Sequence, residues 1–160
     1  MDTKSEKLNQ QLLKFNLETS FGDNDFYVSK SNKHILDLFD QWPNWKKNFL
    51  NISGESFSGK THLTNIFIKR FKGIKFESNL LNNENLNEIT NQKNIIIENL
   101  DKDVNERLVY SLLNIVDQEN KFLVITSKVP IVDIKFKLAD LKSRCKNFLL
   151  FDILKPDDEL

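Results

Sequence analysis

This sequence predicts an α/β protein, an αβα sandwich around a five-stranded parallel sheet. Three observations carry that expectation. Strand-type and helix-type segments alternate with short links, the order that builds parallel sheets. Two strand segments, Ile95-Ile96-Ile97 and Phe122-Leu123-Val124-Ile125, are apolar at every position, as strands covered on both faces must be. And one strand–helix junction reads Gly54-Glu55-Ser56-Phe57-Ser58-Gly59-Lys60-Thr61, with the spacing G-x-x-x-x-G-K-T.

The elements follow in order. Met1 to Asn9 is polar and charged. An apolar cluster, Gln11, Leu12, Leu13 and Phe15, comes next. It reads either as a peptide that docks into a partner or as an arm packed on its own domain. We therefore divide the chain into an arm over 1–20 and a core over 21–160. Asp25-Phe26-Tyr27-Val28 is short and aromatic. Ser31 or Asn32 is placed to cap a helix carrying Ile35, Leu38, Phe39 and Trp42 at helical spacing, ended by Pro43. Trp42 and Trp45 read as core, or as the flank of a nucleotide base.

Phe49 to Ile52 is the first strand. The glycine loop follows it, and then Leu63, Ile66, Phe67 and Phe71 mark a helix that Gly73 stops. Strand, loop and helix in this order form a phosphate-binding loop. Glycines let the backbone N–H groups face an anion, and the helix adds the positive end of its dipole. Lys60 reaches the β- and γ-phosphates, and the Thr61 hydroxyl ligates Mg²⁺.

Ile74 to Glu77 is the second strand. Leu80, Leu81, Leu86 and Ile89 form a weak helical pattern. The strand Ile95 to Ile97 runs into Glu98-Asn99-Leu100-Asp101, so a carboxylate closes a buried strand beside the loop, as a Walker B acid does. Asp103 is placed to cap a helix with Val104, Leu108, Leu112, Ile115 and Val116. The strand from Phe122 ends in Thr126 and Ser127, hydroxyls that either orient water at a γ-phosphate or simply finish a strand. A short helix from Leu138 to Arg144 and a last strand from Phe148 to Ile153 follow. Lys155 to Leu160 reads as the opening of another helix.

Composition excludes several function classes. The chain has 160 residues, one domain's worth, with 39% apolar residues and 13 Phe. Lys plus Arg and Asp plus Glu number 23 each, a balance that argues against a DNA-coating role. Cys145 is the only cysteine, and His34 and His62 are the only histidines, so neither a disulfide framework nor a Cys/His metal site is expected. Without a long apolar run or signal peptide, the expectation is a cytoplasmic protein with no membrane partner.

Taken together, these residues resemble the AAA+ ATPases, and within them the Hda-type regulators of the DnaA-related group. The resemblance spans essentially the whole chain. It rests on Asp25 to Val28 with Asn32, on Trp42-Pro43-Asn44-Trp45, on Gly54 to Leu63, and on Glu98 to Asp101. Thr126-Ser127, Leu141-Lys142-Ser143-Arg144 and Pro156 to Leu160 complete it. It implies nucleotide contacts, with ATP or ADP, at Gly54, Ser58, Gly59, Lys60, Thr61, His62 and Tyr27. Mg²⁺ is implied at Thr61 and Glu98, and sensor 1 at Thr126 or Ser127. Arg144 matches an arginine finger that acts in trans on a partner's nucleotide.

The implied function is regulatory. Hydrolysis of DnaA-bound ATP would be promoted together with the sliding clamp, the β subunit of DNA polymerase III, so that initiation is held down. Gln11, Leu12, Leu13 and Phe15 match the clamp-binding peptide, although Lys14 interrupts its apolar pattern. DNA contact is indirect at most, and homo-oligomerisation stays open. Three departures qualify the match. Asn99 stands where a second acid polarises water, and an amide is no base, so intrinsic hydrolysis is expected to be weak or absent. The chain ends before a helical lid. The link before Walker B is too short for the extra helix of initiators and loaders. Helicase-loader-like AAA+ ATPase, small P-loop kinase and structural adaptor remain the alternative readings.

Overall fold

A computed structural model describes residues 30–89 and 91–153. The N-terminal arm with Gln11, Leu12, Leu13 and Phe15, the Asp25 to Val28 segment with Tyr27, and Pro156 to Leu160 lie outside the described residues. Among the described residues, the strands are β1 (Phe49–Ser53), β2 (Ile74–Glu77), β3 (Asn94–Leu100), β4 (Phe122–Ser127) and β5 (Leu149–Asp152). The helices are α1 (Lys30–Gln41), α2 (Lys60–Phe71), α3 (Asn83–Ile89), α4 (Glu106–Gln118) and α5 (Ala139–Cys145), with 3₁₀ turns at Ser78–Leu80 and Ile131–Asp133.

All pairings are parallel, and the strand order is β2-β3-β4-β1-β5. The expected five-stranded αβα sandwich is the fold observed. Side chains on β3 alternate between two cores. Ile95 and Ile97 face α3, α4 and α5, while Ile96 faces α1 and α2. All three are at most 1% exposed. A fully buried Ile contributes about 2 kcal/mol, so the doubly covered strand stabilises strongly over a short length.

Register aligns the strand ends. Ser53 pairs with both Ser127 and Asp152, and Glu77 pairs with Glu98. One sheet edge therefore gathers Ser53, Glu77, Glu98, Ser127 and Asp152. Trp42 and Trp45 sit at the opposite edge. Trp42 stacks on Phe71 with centroids 4.5 Å apart, Trp45 meets Phe122 edge-on at 5.6 Å, and Trp45 Nε1 donates to Leu38 O at 2.7 Å. Their role is core packing, the first of the two readings.

Two caps differ from expectation. Helix α4 is capped by Asn105, whose side-chain oxygen accepts from Leu108 N at 3.2 Å, and Asp103 is not the cap. Asp103 lies in a preceding turn, where its own N–H donates to Asp101 Oδ1 at 2.9 Å. Ser31 and Asn32 lie within helix α1 (Lys30–Gln41) rather than ahead of it.

Candidate functional site

The loop from Gly54 to Gly59 joins β1 to α2 at the gathered sheet edge. Gly54 N donates to Ser127 O at 3.0 Å, which roots the loop on β4. A side chain at 54 would bring its Cβ to 2.7 Å from Ser58 Oγ and 3.2 Å from Ile153 Cβ, so a substitution there would have to turn the Ser58 hydroxyl away and press on Ile153. Gly59 caps α2 at φ 107°, a conformation that side-chain-bearing residues rarely adopt. Phe57 holds φ 62° and its residue is 105% exposed, an apolar ring in a strained backbone that no described residue covers. Ser58 Oγ is buried with no hydrogen-bond partner among the described residues.

Lys60 folds back over this loop. Its Nζ donates to Gly54 O at 2.5 Å and to Glu55 O at 2.9 Å. The residue is buried, and that burial pulls its ammonium pKa below the ordinary value. Glu55 and Glu98 oppose the shift, and Lys128 adds to it.

The end of β3 supplies the acid. Glu98 is 2% exposed. Thr61 Oγ1 donates to Glu98 Oε1 at 3.1 Å, and Thr64 Oγ1 donates to Oε2 at 2.6 Å. Lys75 Nζ lies 3.0 Å from the same Oε2. Asn99 departs from the strand at φ 61°, where the β3–β4 register shifts. Its N–H donates to Thr126 Oγ1 at 2.9 Å, and its Nδ2 donates to Glu77 Oε1 at 2.9 Å.

Thr126 thus touches the end of β3, whereas Ser127 is engaged elsewhere. Ser127 Oγ donates to Val129 O at 2.6 Å and accepts from Asn51 Nδ2 at 2.9 Å. The Asn51 amide also donates to Ile125 O at 3.0 Å and accepts from Ile131 N at 2.8 Å. One buried side chain so ties β1 to β4 and to the turn beyond it.

An open pocket of about 470 Å³ faces this edge, lined by Ser56, Phe57, Gly59, Lys60, Thr61, His62 and Asn99. A larger hollow of about 690 Å³ lies between the Ile131–Asp133 turn and α5. The smaller one is the better candidate, because the polar groups converge there. Among the described residues no group of three or more His, Cys, Asp or Glu could hold a metal alone. The hydroxyl of Thr61 beside the carboxylate of Glu98 is the donor set Mg²⁺ takes when phosphates supply its other ligands.

The structure thus brings Gly54, Ser58, Gly59, Lys60, Thr61, His62, Glu98 and Thr126 together. Arg144 is elsewhere. It sits on α5, in the layer opposite α2, with Nη2 on Asn114 Oδ1, Nη1 3.6 Å from Asp117 Oδ2, and its guanidinium 5.8 Å from the Tyr110 ring centroid. Sequence reasoning missed Thr64, Lys75, Glu77 and Asn51. Thr64 was findable, since it lies one helical turn beyond Thr61 on the same face. The other three act across strand pairs whose partners a local pattern does not reveal.

No protein-family model matches the chain, and no curated protein matches it. Solved structures do. AMPPCP-bound DnaA from Aquifex aeolicus superposes with TM-score 0.67 at 17% identity, covering 80% of this chain and 48% of that one. Domain III of the Thermotoga maritima replication initiation protein DnaA gives 0.66 at 19%, covering 84% and 67%. DnaI gives 0.62 at 15%, covering 82% and 87%. The chain spans about half the length of the Aquifex DnaA structure. Sheet order and the two covering helix layers give this chain the same α/β fold, with a glycine loop after its first strand, as domain III of DnaA.

Proposed function

We propose that this chain is a nucleotide-dependent AAA+ regulator of replication initiation, of Hda type. The observation that carries the nucleotide reading is the Thr61–Glu98 hydrogen bond, which joins the glycine loop to the Walker B acid. ATP or ADP would lie with its phosphates in the loop, met by Lys60 and the first N–H groups of α2. Mg²⁺, held by Thr61 and by Glu98 through water, would balance phosphate charge there. Asn99 offers no base, so the site acts as a switch rather than as an efficient hydrolase.

The chemistry would occur in DnaA. Arg144, released from Asn114 and Asp117, would reach DnaA-bound ATP while Gln11, Leu12, Leu13 and Phe15 attach the chain to the sliding clamp. The test mixes the protein and DNA-loaded clamp with ATP-bound DnaA and follows phosphate release. We expect stimulation that Arg144→Ala reduces by about a thousandfold. No stimulation, or equal stimulation by the variant, refutes the regulatory reading.

A second reading, a helicase-loader-like AAA+ ATPase, is favoured by the extent of overlap with DnaI, 82% of this chain and 87% of that one. Co-purification with replicative helicase, and not with DnaA, selects it.

A further inference from the structure

We propose that Lys75 is a tethered counter-ion for Glu98, and that it makes nucleotide binding at this site nearly independent of Mg²⁺. The proposal rests on the nucleotide reading above. Its ground is the charge balance around a carboxylate whose side chain is 3% exposed. A buried carboxylate requires an opposite charge close by. The hydroxyls of Thr61 and Thr64 give Glu98 two hydrogen bonds but no charge. Lys75 gives the charge, with its ammonium 3.0 Å from Oε2.

The placement is built in by the fold. In the β2–β3 register Glu77 is the partner of Glu98, and Lys75 is the partner of Ile96, two residues back along the strand. The Lys75 stem runs forward along this edge strand to the carboxylate. Asn65 on α2 holds the ammonium from the other side, with Oδ1 2.5 Å from Nζ.

In a P-loop site Mg²⁺ balances the polyphosphate and the acid together. Here the acid already has its cation. Removing Mg²⁺ leaves only the phosphates to be balanced, and Lys60 with the loop N–H groups faces those. Without Lys75, Glu98 keeps only the attraction of Lys60, which the polyphosphate also claims, and the metal becomes necessary.

The experiment titrates ADP into the full chain by calorimetry, in excess Mg²⁺ and in excess EDTA. For wild type, Kd is expected to differ between the two conditions by less than about fivefold. Lys75→Met is expected to raise that ratio above about fivefold by weakening binding in EDTA only. Lys75→Arg should keep the wild-type ratio, and Lys75→Met with Glu98→Gln should restore it, because both charges are then gone. A wild-type ratio above about fivefold overturns the proposal and leaves nucleotide binding intact. So does a Lys75→Met variant weakened equally in both conditions, since a merely structural lysine would behave that way. Should Lys75→Met not fold, the wild-type and Lys75→Arg ratios decide. No ADP binding by wild type in either condition refutes the nucleotide reading itself, and this inference with it.

Discussion

Replacing Asn99 by Asp supplies the second acid that the resemblance to AAA+ ATPases implies at this position, yet the structure predicts that the change destabilises the protein. The obstacle is Glu77, whose Oε1 accepts from Asn99 Nδ2 at 2.9 Å. An aspartate cannot donate, so an amide–carboxylate hydrogen bond is exchanged for two facing carboxylates. At 2.9 Å in water their Coulomb repulsion is about 1.4 kcal/mol before the side chains relax. The lost bond is exposed and contributes less than about 1 kcal/mol. Allowing for relaxation, the net cost is about 1–2 kcal/mol, or about 5 °C in Tm for a domain of this size. Backbone strain does not confuse the result, because Asp tolerates the φ of 61° much as Asn does. Adding Glu77→Gln to Asn99→Asp restores a donor and should return stability to within about 0.5 kcal/mol of wild type. Calorimetric melting of the three proteins is the assay. An unchanged Tm in Asn99→Asp, or a double variant no better than the single, refutes the argument.

Three further outcomes are expected. Phe57→Gly should raise stability by about 0.5–1 kcal/mol, since the relief of left-handed strain exceeds the entropy cost of glycine and the exposed ring loses no packing. Phe57→Ala keeps the strain and should gain nothing; equal melting of the two variants counts against this account. Asn51→Leu should cost about 2–4 kcal/mol in urea unfolding, because it strands Ile131 N–H and two acceptors inside the fold. Burial pushes the Cys145 thiol up to about 11 from 9.0. The folded chain therefore keeps its proton where the unfolded chain loses it, and this contribution to stability, complete below pH 9.0, falls as pH rises toward about 11. Comparing unfolding of wild type and Cys145→Ala on both sides of that window should show the steeper decline in wild type.

Much of this fold is written locally. The Ile95 to Ile97 and Phe122 to Ile125 runs announce doubly covered strands because both faces must be apolar. The glycine loop announces itself because so few residue types satisfy its geometry. What was not legible depends on strand register. Lys75 and Glu77 read as ordinary polar positions until β2 lies beside β3, when they meet Glu98 and Asn99. The Asn105 cap was missed because Asp103, an equally good capping type, lies two residues earlier and spends itself on a turn. Arg144 carried a motif match, but its packing against Tyr110, Asn114 and Asp117 follows from how α4 and α5 lie together.

The hold of Lys60 on Gly54 O and Glu55 O has a consequence for selectivity. The carbonyl oxygens of Gly54 and Glu55 occupy the Lys60 ammonium as an anion would, and a phosphate must compete with these two short hydrogen bonds made by a buried ammonium. A lone phosphate or sulfate offers one site of attachment and gains little from that exchange. A diphosphate reaches both the Lys60 ammonium and the first turn of α2, so its second group adds to the first without a further loss of freedom. If the chain binds a nucleotide as proposed, the loop would act as a threshold that disfavours single oxyanions such as sulfate and phosphate relative to chains of phosphates.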